Sequence, residues 1–521
     1  MECTCVRHTE LPHTSKLFAD FVYHFDRVQP FYPHNPADPE SYRRAASQID
    51  FPADRRAALV EALRIQNGDS ESLRRLAEPG TVAVVTGQQV GLFSGPAYTI
   101  YKALTAAKLA RGLTERGIRA VPIFWLATED HDFPEINHCW TFDAGNRPIQ
   151  VIHDVAHQAG EPVGRVRVGQ APPIPLDGLP FAGEIAQIVE SAYGAGATFG
   201  SAFSALLKRL LPSYDLLHVD PLLPAIRALA APAIASALAH GPGVAARLME
   251  RNQELATAGY HAQVHFEEHT SLVFLLEGDR RITLKRDGSD YVAENRRFST
   301  DDLIRMAAQL SPNALLRPVV QDAILPTVAY IGGPAELAYL AQSEVLYRQV
   351  LGRMPVALSR SGFTIFDGQS EKLMRRYGLS FPDFLHGEEV LRERIAAALA
   401  PPALTESMAN AKSATDAAIA RLLADLKAFD PTLAAALTGS QRKIRYQLSK
   451  IERKIAREAA NRDVRASRDA AYLAGLVFPH KHLQERFYSI IPFLARHGLD
   501  LVDCLYENIQ LDCPDHRLLV V

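Results

Sequence analysis

A strand–helix–strand unit near residue 100 constrains this fold more than any other feature of the sequence. Thr81-Val82-Ala83-Val84-Val85-Thr86 is an apolar, β-branched run bounded by Gly80 and Gly87. Such a run, lacking polar alternation, suits a strand covered on both faces of a parallel sheet. Gly95-Pro96 follows, with proline where the first turn of a helix tolerates it. Residues 97–113 have a helical pattern, and 121–128, V-P-I-F-W-L-A-T, read as a second buried strand. Together these make a βαβ unit, so a right-handed crossover in a Rossmann-like α/β sheet is expected.

At 521 residues the chain is too long for one core, and two or three domains are expected. Residues 1–150 hold an N-terminal segment and the first half of the core. Residues 151–320 read as inserted connecting subdomains: a Gly- and Pro-rich stretch at 157–180, helices over 183–258, and an antiparallel meander over 263–293. The meander is marked by turns at Glu277-Gly278-Asp279 and Arg286-Asp287-Gly288-Ser289. Residues 321–385 complete the core, with a strand over 327–331, a Gly332-Gly333 turn, a helix over 335–351 and a strand over 355–358.

Residues 386–521 form a C-terminal helical domain. Ile419, Leu422, Leu426, Phe429 and Leu433 recur at intervals of three and four, as do Ile444, Leu448, Ile451 and Ile455. Asp430-Pro431 separates the two sets, so an antiparallel coiled coil over about 405–471 is expected. Its second helix carries many basic residues, read chiefly as a solvated face.

Composition excludes several functions. Lys and Arg number 56 against 59 Asp and Glu, a formal net charge of −3, which removes the electrostatic case for a general nucleic-acid or membrane binder. The five cysteines include no C-x-x-C pair, fitting neither a disulfide framework nor a zinc knuckle, so a reducing cytoplasm is expected. The start, Met1 to His8, lacks the apolar centre of a signal peptide. No uncharged apolar run reaches the roughly 18 residues that span a bilayer.

Chemistry is concentrated in three places. Gly87-Gln88-Gln89-Val90-Gly91-Leu92-Phe93-Ser94-Gly95-Pro96-Ala97-Tyr98-Thr99 links a strand to a helix. Its glycines allow a ligand close approach, and amides at the helix start favour phosphate or carboxylate. The spacing matches neither G-x-G-x-x-G nor the P-loop, so no nicotinamide or flavin is expected. Glu129-Asp130-His131-Asp132-Phe133-Pro134-Glu135-Ile136-Asn137-His138 lies just past the second strand, where open α/β sheets bind ligands. Asp130, His131, Asp132, Glu135 and His138 could bind a divalent metal, hold a substrate ammonium or shuttle protons, or could be a solvated loop. Gly332, Gly333 and Glu336, in another strand–glycine–helix turn, could form the opposite wall of one crevice.

T-G-Q-Q-V-G-L-F-S-G-P-A-Y-T-I-Y-K (86–102), F-W-L-A-T-E-D-H-D-F-P-E-I-N-H (124–138), V-A-Y-I-G-G-P-A-E-L-A-Y (328–339) and F-P-H-K-H-L-Q-E-R (478–486) resemble the bacillithiol biosynthesis cysteine-adding enzymes, over essentially the whole chain. The resemblance implies a core similar to class I aminoacyl-tRNA synthetases and a coiled coil that makes a homodimer. It also implies joining of the cysteine carboxyl group to the amine of glucosaminyl malate, with ATP expected by analogy and Mg left open. In that reading the Gly91–Tyr98 amides hold phosphates or carboxylates, while the 130–138 cluster orients the amine and takes its proton. Where class I synthetases carry H-x-G-H, this helix begins Gly95-Pro96-Ala97-Tyr98, and Ser359-Arg360-Ser361 only faintly echoes K-M-S-K-S. The alternatives are another adenylate-forming ligase or nucleotidylyltransferase acting on a small acid, and a non-catalytic dimeric scaffold that binds nucleotide.

Overall fold

The structure is a computed structural model that describes residues 3–462 and 464–521. The expectation placed on the Met1-Glu2 start, and the part of the 405–471 span at Asp463, lie outside the described residues.

Five strands make the core sheet: β1 (Val82–Gln88), β2 (Ala120–Leu126), β3 (Leu217–Val219), β4 (Thr327–Gly332) and β5 (Val356–Ser359). Their spatial order is β5-β4-β1-β2-β3, and every pairing is parallel. β2 and β4 are buried at every residue and β1 at all but its last, which explains their unbroken apolar runs. Helix α1 (Tyr98–Glu115) crosses from β1 to β2 and packs on both, and α2 (Pro334–Leu346) follows β4. The order of connection reverses between β1 and β4, opening a crevice beyond their carboxyl ends. The Rossmann-like expectation is met.

The chain divides differently from the expected boundaries. Residues 151–320 are more than an insertion, because they supply β3, paired with β2 at Ile123, Phe124 and Trp125. A three-residue strand inside an Ala- and Leu-rich stretch carries no periodicity of its own. The meander is wider than 263–293: five antiparallel strands run from Thr270–Glu277 to Leu310–Pro312. The core sheet ends at β5. Phe363–Phe366 instead pairs with His516–Val520, which pairs in turn with Cys3–Val6. A short apolar run does not reveal which sheet it joins.

Helix α3 (Glu388–Ala398) leads into a hairpin of α4 (Pro402–Phe429) and α5 (Pro431–Arg462). The Asp430 carboxylate accepts from the Thr432 amide at 2.7 Å and starts the second arm. Lys412–Glu452 (2.5 Å) and Asp416–Arg445 (2.8 Å) bridge the arms in antiparallel register. Ile419 is buried, yet Leu422, Phe429, Ile444 and Ile451 are 48%, 82%, 40% and 49% exposed. The seam is thus only partly used within one hairpin. Nearer the core, a single apolar cluster runs from Tyr101 and Phe124 to Leu473, Tyr488 and Phe493, so the helical domain shares its interior with the α/β domain. Among the described residues no single helix is long and apolar enough to cross a membrane.

Candidate functional site

A cavity of about 620 Å³ opens where β1 and β4 part, lined by the strand ends, the starts of α1 and α2, the loop after β2 and part of the meander. Gly87 is required here by proximity: a Cβ on it would stand 2.8 Å from the Trp125 carbonyl oxygen. At the floor lies Lys102, fully buried on α1. Its Nζ donates to the Gly87 carbonyl and Gln88 Oε1, both at 2.8 Å, and pairs with Glu336. Glu336 also accepts from the Gly333 amide (2.8 Å) and the Tyr330 hydroxyl (2.5 Å). Burial alone would raise its carboxyl, but the Lys102 ammonium and these donors outweigh burial and hold it below its ordinary value. This pair ties α1 to α2 across the crevice, and the Lys102 bond to the Gly87 carbonyl adds the end of β1.

On the wall after β2, Gln89 Nε2 donates to both Asp130 Oδ2 (2.8 Å) and Glu135 Oε2 (2.7 Å). Asp130 Oδ1 accepts from the His131 amide at 2.8 Å, and Arg281 lies 3.6 Å from it. Arg281 Nη1 donates to His131 Nδ1 at 3.2 Å, which places the imidazole proton on Nε2. Burial first, then the Arg281 charge, lowers the His131 pKa below its ordinary 6.5, so the ring is neutral at neutral pH. Its Nε2–H is therefore a donor, and accepting a proton falls to the carboxylates. Behind them Glu129 pairs with Arg227 at 2.8 Å.

The remaining wall is cationic. Arg317 donates to Tyr339 Oη (3.0 Å) and Gln321 Oε1 (2.9 Å) and pairs with no carboxylate among the described residues. Arg360 lies 5.0 Å over the Tyr98 ring and forms a buried two-point pair with Glu485 (2.6 and 2.9 Å). Arg486 reaches in from the C-terminal domain.

Of the residues expected from sequence, Gly87, Gln88, Gln89, Tyr98, Asp130, His131, Glu135, Gly333 and Glu336 line this cavity. Gly91, Gly95, Pro96 and His138 line a neighbouring cavity of about 390 Å³, which shares Gln88, Gln89, Tyr98, Glu135 and Arg486 with the first. His138 is separated from His131 because it begins the hairpin strand His138–Phe142. Asp132 is exposed, and Gly332 ends β4; neither lines these two cavities. Phe93 and Thr99 are core residues, the Phe93 ring packing edge-on against Tyr193 at 4.9 Å.

The amide cradle expected over 91–98 is largely consumed within the protein. The Gly91, Phe93, Gly95 and Ala97 amides donate to Gln89 O, Tyr193 Oη, Leu92 O and Tyr488 O. Sequence reasoning missed the cations instead. Lys102 and Arg486 end two of the motifs already singled out, and Arg360 sits in the K-M-S-K-S echo. Arg281 and Arg317 carried no local signal. The crevice is thus as basic as it is acidic. Among the described residues no group of three or more His, Cys, Asp or Glu is placed to hold a metal ion.

Two family models match the chain: the bacillithiol biosynthesis BshC N-terminal Rossmann-like domain over residues 1–361, and the BshC C-terminal coiled-coil domain over 363–521. A protein of Solibacter usitatus named "Putative cysteine ligase BshC" is 57% identical over the full length of both chains. Proteins of the same name from Koribacter versatilis and Chlorobaculum tepidum are 34% and 31% identical; each alignment covers 99% of this chain, and 99% and 96% of those relatives.

Proposed function

Because the chain belongs to the bacillithiol biosynthesis BshC family, we propose that it is a ligase that joins the carboxyl group of L-cysteine to the amine of glucosaminyl malate, using ATP. The observation that carries this reading is the meeting of carboxylates and unneutralised guanidinium groups in one cavity at the sheet's switch point. Glucosaminyl malate bears both kinds of partner. Its malyl carboxylates suit the Arg281 side of the cavity, and its amine suits Asp130. Attack requires an uncharged amine, and in this reading Asp130 takes the proton while His131 Nε2–H donates to a substrate oxygen. ATP, when bound, supplies the activation of the cysteine carboxyl group. Arg317, with no carboxylate partner among the described residues, and Arg360 are the side chains that would hold its phosphates.

The test is to incubate the protein with L-cysteine, glucosaminyl malate and ATP and to follow bacillithiol by mass. Asp130→Asn is expected to lower kcat by about 10²–10⁴-fold, the usual range for a lost proton acceptor, while Asp132→Asn stays at the wild-type level. Because His131 is held neutral, its contribution to the acid limb of the pH profile should lie below pH 6.5. Arg281→Gln should move that limb upward. No product from the wild type, or equal rates for the two Asp variants, would refute the assignment.

The exposed seam of α4 and α5 supports a homodimer in which a second hairpin covers Leu422, Phe429, Ile444 and Ile451. Light scattering should give twice the 57.3 kDa chain mass, and Leu422→Glu with Ile451→Glu should give the single-chain mass. A single-chain mass for the wild type sinks the dimer.

A further inference from the structure

The second cavity, of about 390 Å³, differs in character from the first. Trp140, Phe487, His480 and His482 form much of its wall, with Trp140 packed on Phe487 (4.6 Å between centroids) and edge-on to His480 (5.3 Å). Among the described residues, the charged side chains that line it are Glu135 and Arg486. They form no ion pair with each other. Among the described residues Arg486 makes no side-chain hydrogen bond or ion pair, and Glu135 accepts only from Gln89 (2.7 Å). Opposite charges left unpaired on the rim of a small aromatic-lined cavity are complementary to a zwitterion. Both groups also line the larger cavity, so a ligand held between them has its charged end at the seam where the two spaces meet.

The wall is built rather than accidental. His480 and Lys481 are held in the left-handed region (φ 47° and 64°), a conformation that non-glycine residues keep only when their surroundings enforce it. The same short segment supplies His480, His482, Arg486 and Phe487. The protein's own Cys139 thiol also borders the cavity, and burial pushes it up to about 12, so it stays a neutral, soft surface and does not compete as a nucleophile.

We infer that this second cavity is the subsite for a small zwitterionic α-amino acid with a polarisable side chain. The Arg486 guanidinium takes the carboxylate, Glu135 takes the ammonium, and the side chain lies against Trp140 and Phe487, where sulfur–aromatic contacts favour a thiol over a hydroxyl. The assignment rests on the ligase reading for the identity of the amino acid as cysteine. It goes beyond that reading in separating the amino-acid pocket from the cavity at the switch point.

The test is calorimetric titration of the full-length protein with L-cysteine, L-serine, cysteamine (no carboxylate) and 3-mercaptopropionate (no ammonium), alongside the KM for L-cysteine in product formation. Arg486→Met should weaken L-cysteine and 3-mercaptopropionate by about tenfold or more, as expected for a lost charge-assisted hydrogen bond, yet leave cysteamine unchanged. Glu135→Gln should show the converse pattern. Arg486→Lys should recover part of the loss, and L-serine should bind more weakly than L-cysteine. A protein that merely lost structure would weaken all four ligands together. Absence of saturable L-cysteine binding to the wild type overturns the subsite. So does an unchanged affinity and KM in both variants, even if bacillithiol is formed and the ligase reading stands. The charge-matched pattern without product supports the subsite and overturns the ligase reading instead.

Discussion

Lys102→Met is expected to abolish measurable bacillithiol formation and to destabilise the protein by about 3–5 kcal/mol, the range for removing one partner of a buried ion pair. The methionine fills the lysine's space, so packing is largely kept. What is lost is the charge that neutralises Glu336 and the donor that holds the Gly87 carbonyl and Gln88. Glu336, 18% exposed, would be left as a mostly buried carboxylate with the Gly333 amide and Tyr330 hydroxyl as its remaining protein donors. Its remedy is to take up a proton, so the variant's stability should improve as pH falls through the carboxylate range, where the wild type gains nothing. Adding Glu336→Leu should restore much of the stability, since apolar replacement of both partners is often neutral, without restoring activity. Denaturant midpoints and rates on the four proteins of that cycle check it. A single variant as stable and active as the wild type would show that the pair is incidental.

Glu485→Gln is expected to be the most damaging substitution at the junction of the two domains, again by about 3–5 kcal/mol. Glu485 is buried in the C-terminal domain. It accepts from both Arg360 terminal nitrogens, at 2.6 and 2.9 Å, and from the Phe363 amide at 3.1 Å. Burial alone would raise its carboxyl, but the Arg360 guanidinium outweighs that and holds it at about 2. A depressed carboxylate contributes stability that is fully present above its unfolded value near 4.5 and is lost as pH falls toward 2. The neighbouring His516 acts earlier. Burial lowers it to about 4 from 6.5, so the unfolded chain binds its proton first and stability declines as pH falls from 6.5 to about 4. The wild type should therefore lose stability in two stages on the acid side. Glu485→Gln should start lower and lose the second stage. Urea midpoints between pH 7 and pH 3 measure both; a variant that keeps the wild-type profile would remove Glu485 from this role.

What could be read from sequence follows the range of the forces involved. The βαβ unit was legible because burial on both faces of β1 and β2 demands continuous apolar runs, and the hairpin of α4 and α5 because its repeat is local. The carboxylates at Asp130 and Glu135 were legible because they follow a strand directly. β3 was not, since three residues cannot show a period. Arg281 and Arg317 were not, because the meander and the helix before β4 bring them to the crevice from outside every motif that forms its other walls, Arg281 from 150 residues beyond His131. Asp132, Phe93 and Thr99 belonged to legible motifs but point elsewhere, because neighbours in a loop or first helical turn do not share a direction.

The small sheet of Cys3–Val6, His516–Val520 and Phe363–Phe366 has a consequence for how the protein is made. Cys3–Val6 has no partner strand until His516–Val520 has been synthesised, so the α/β domain cannot finish folding as it emerges. Its early residues must wait through the synthesis of both long arms, with an open edge that other chains could pair with. Pairing of His516–Val520 is then the event that closes the small sheet. Blocking that strand during translation should trap a chain whose core sheet is formed but whose Cys3–Val6 strand is still unpaired.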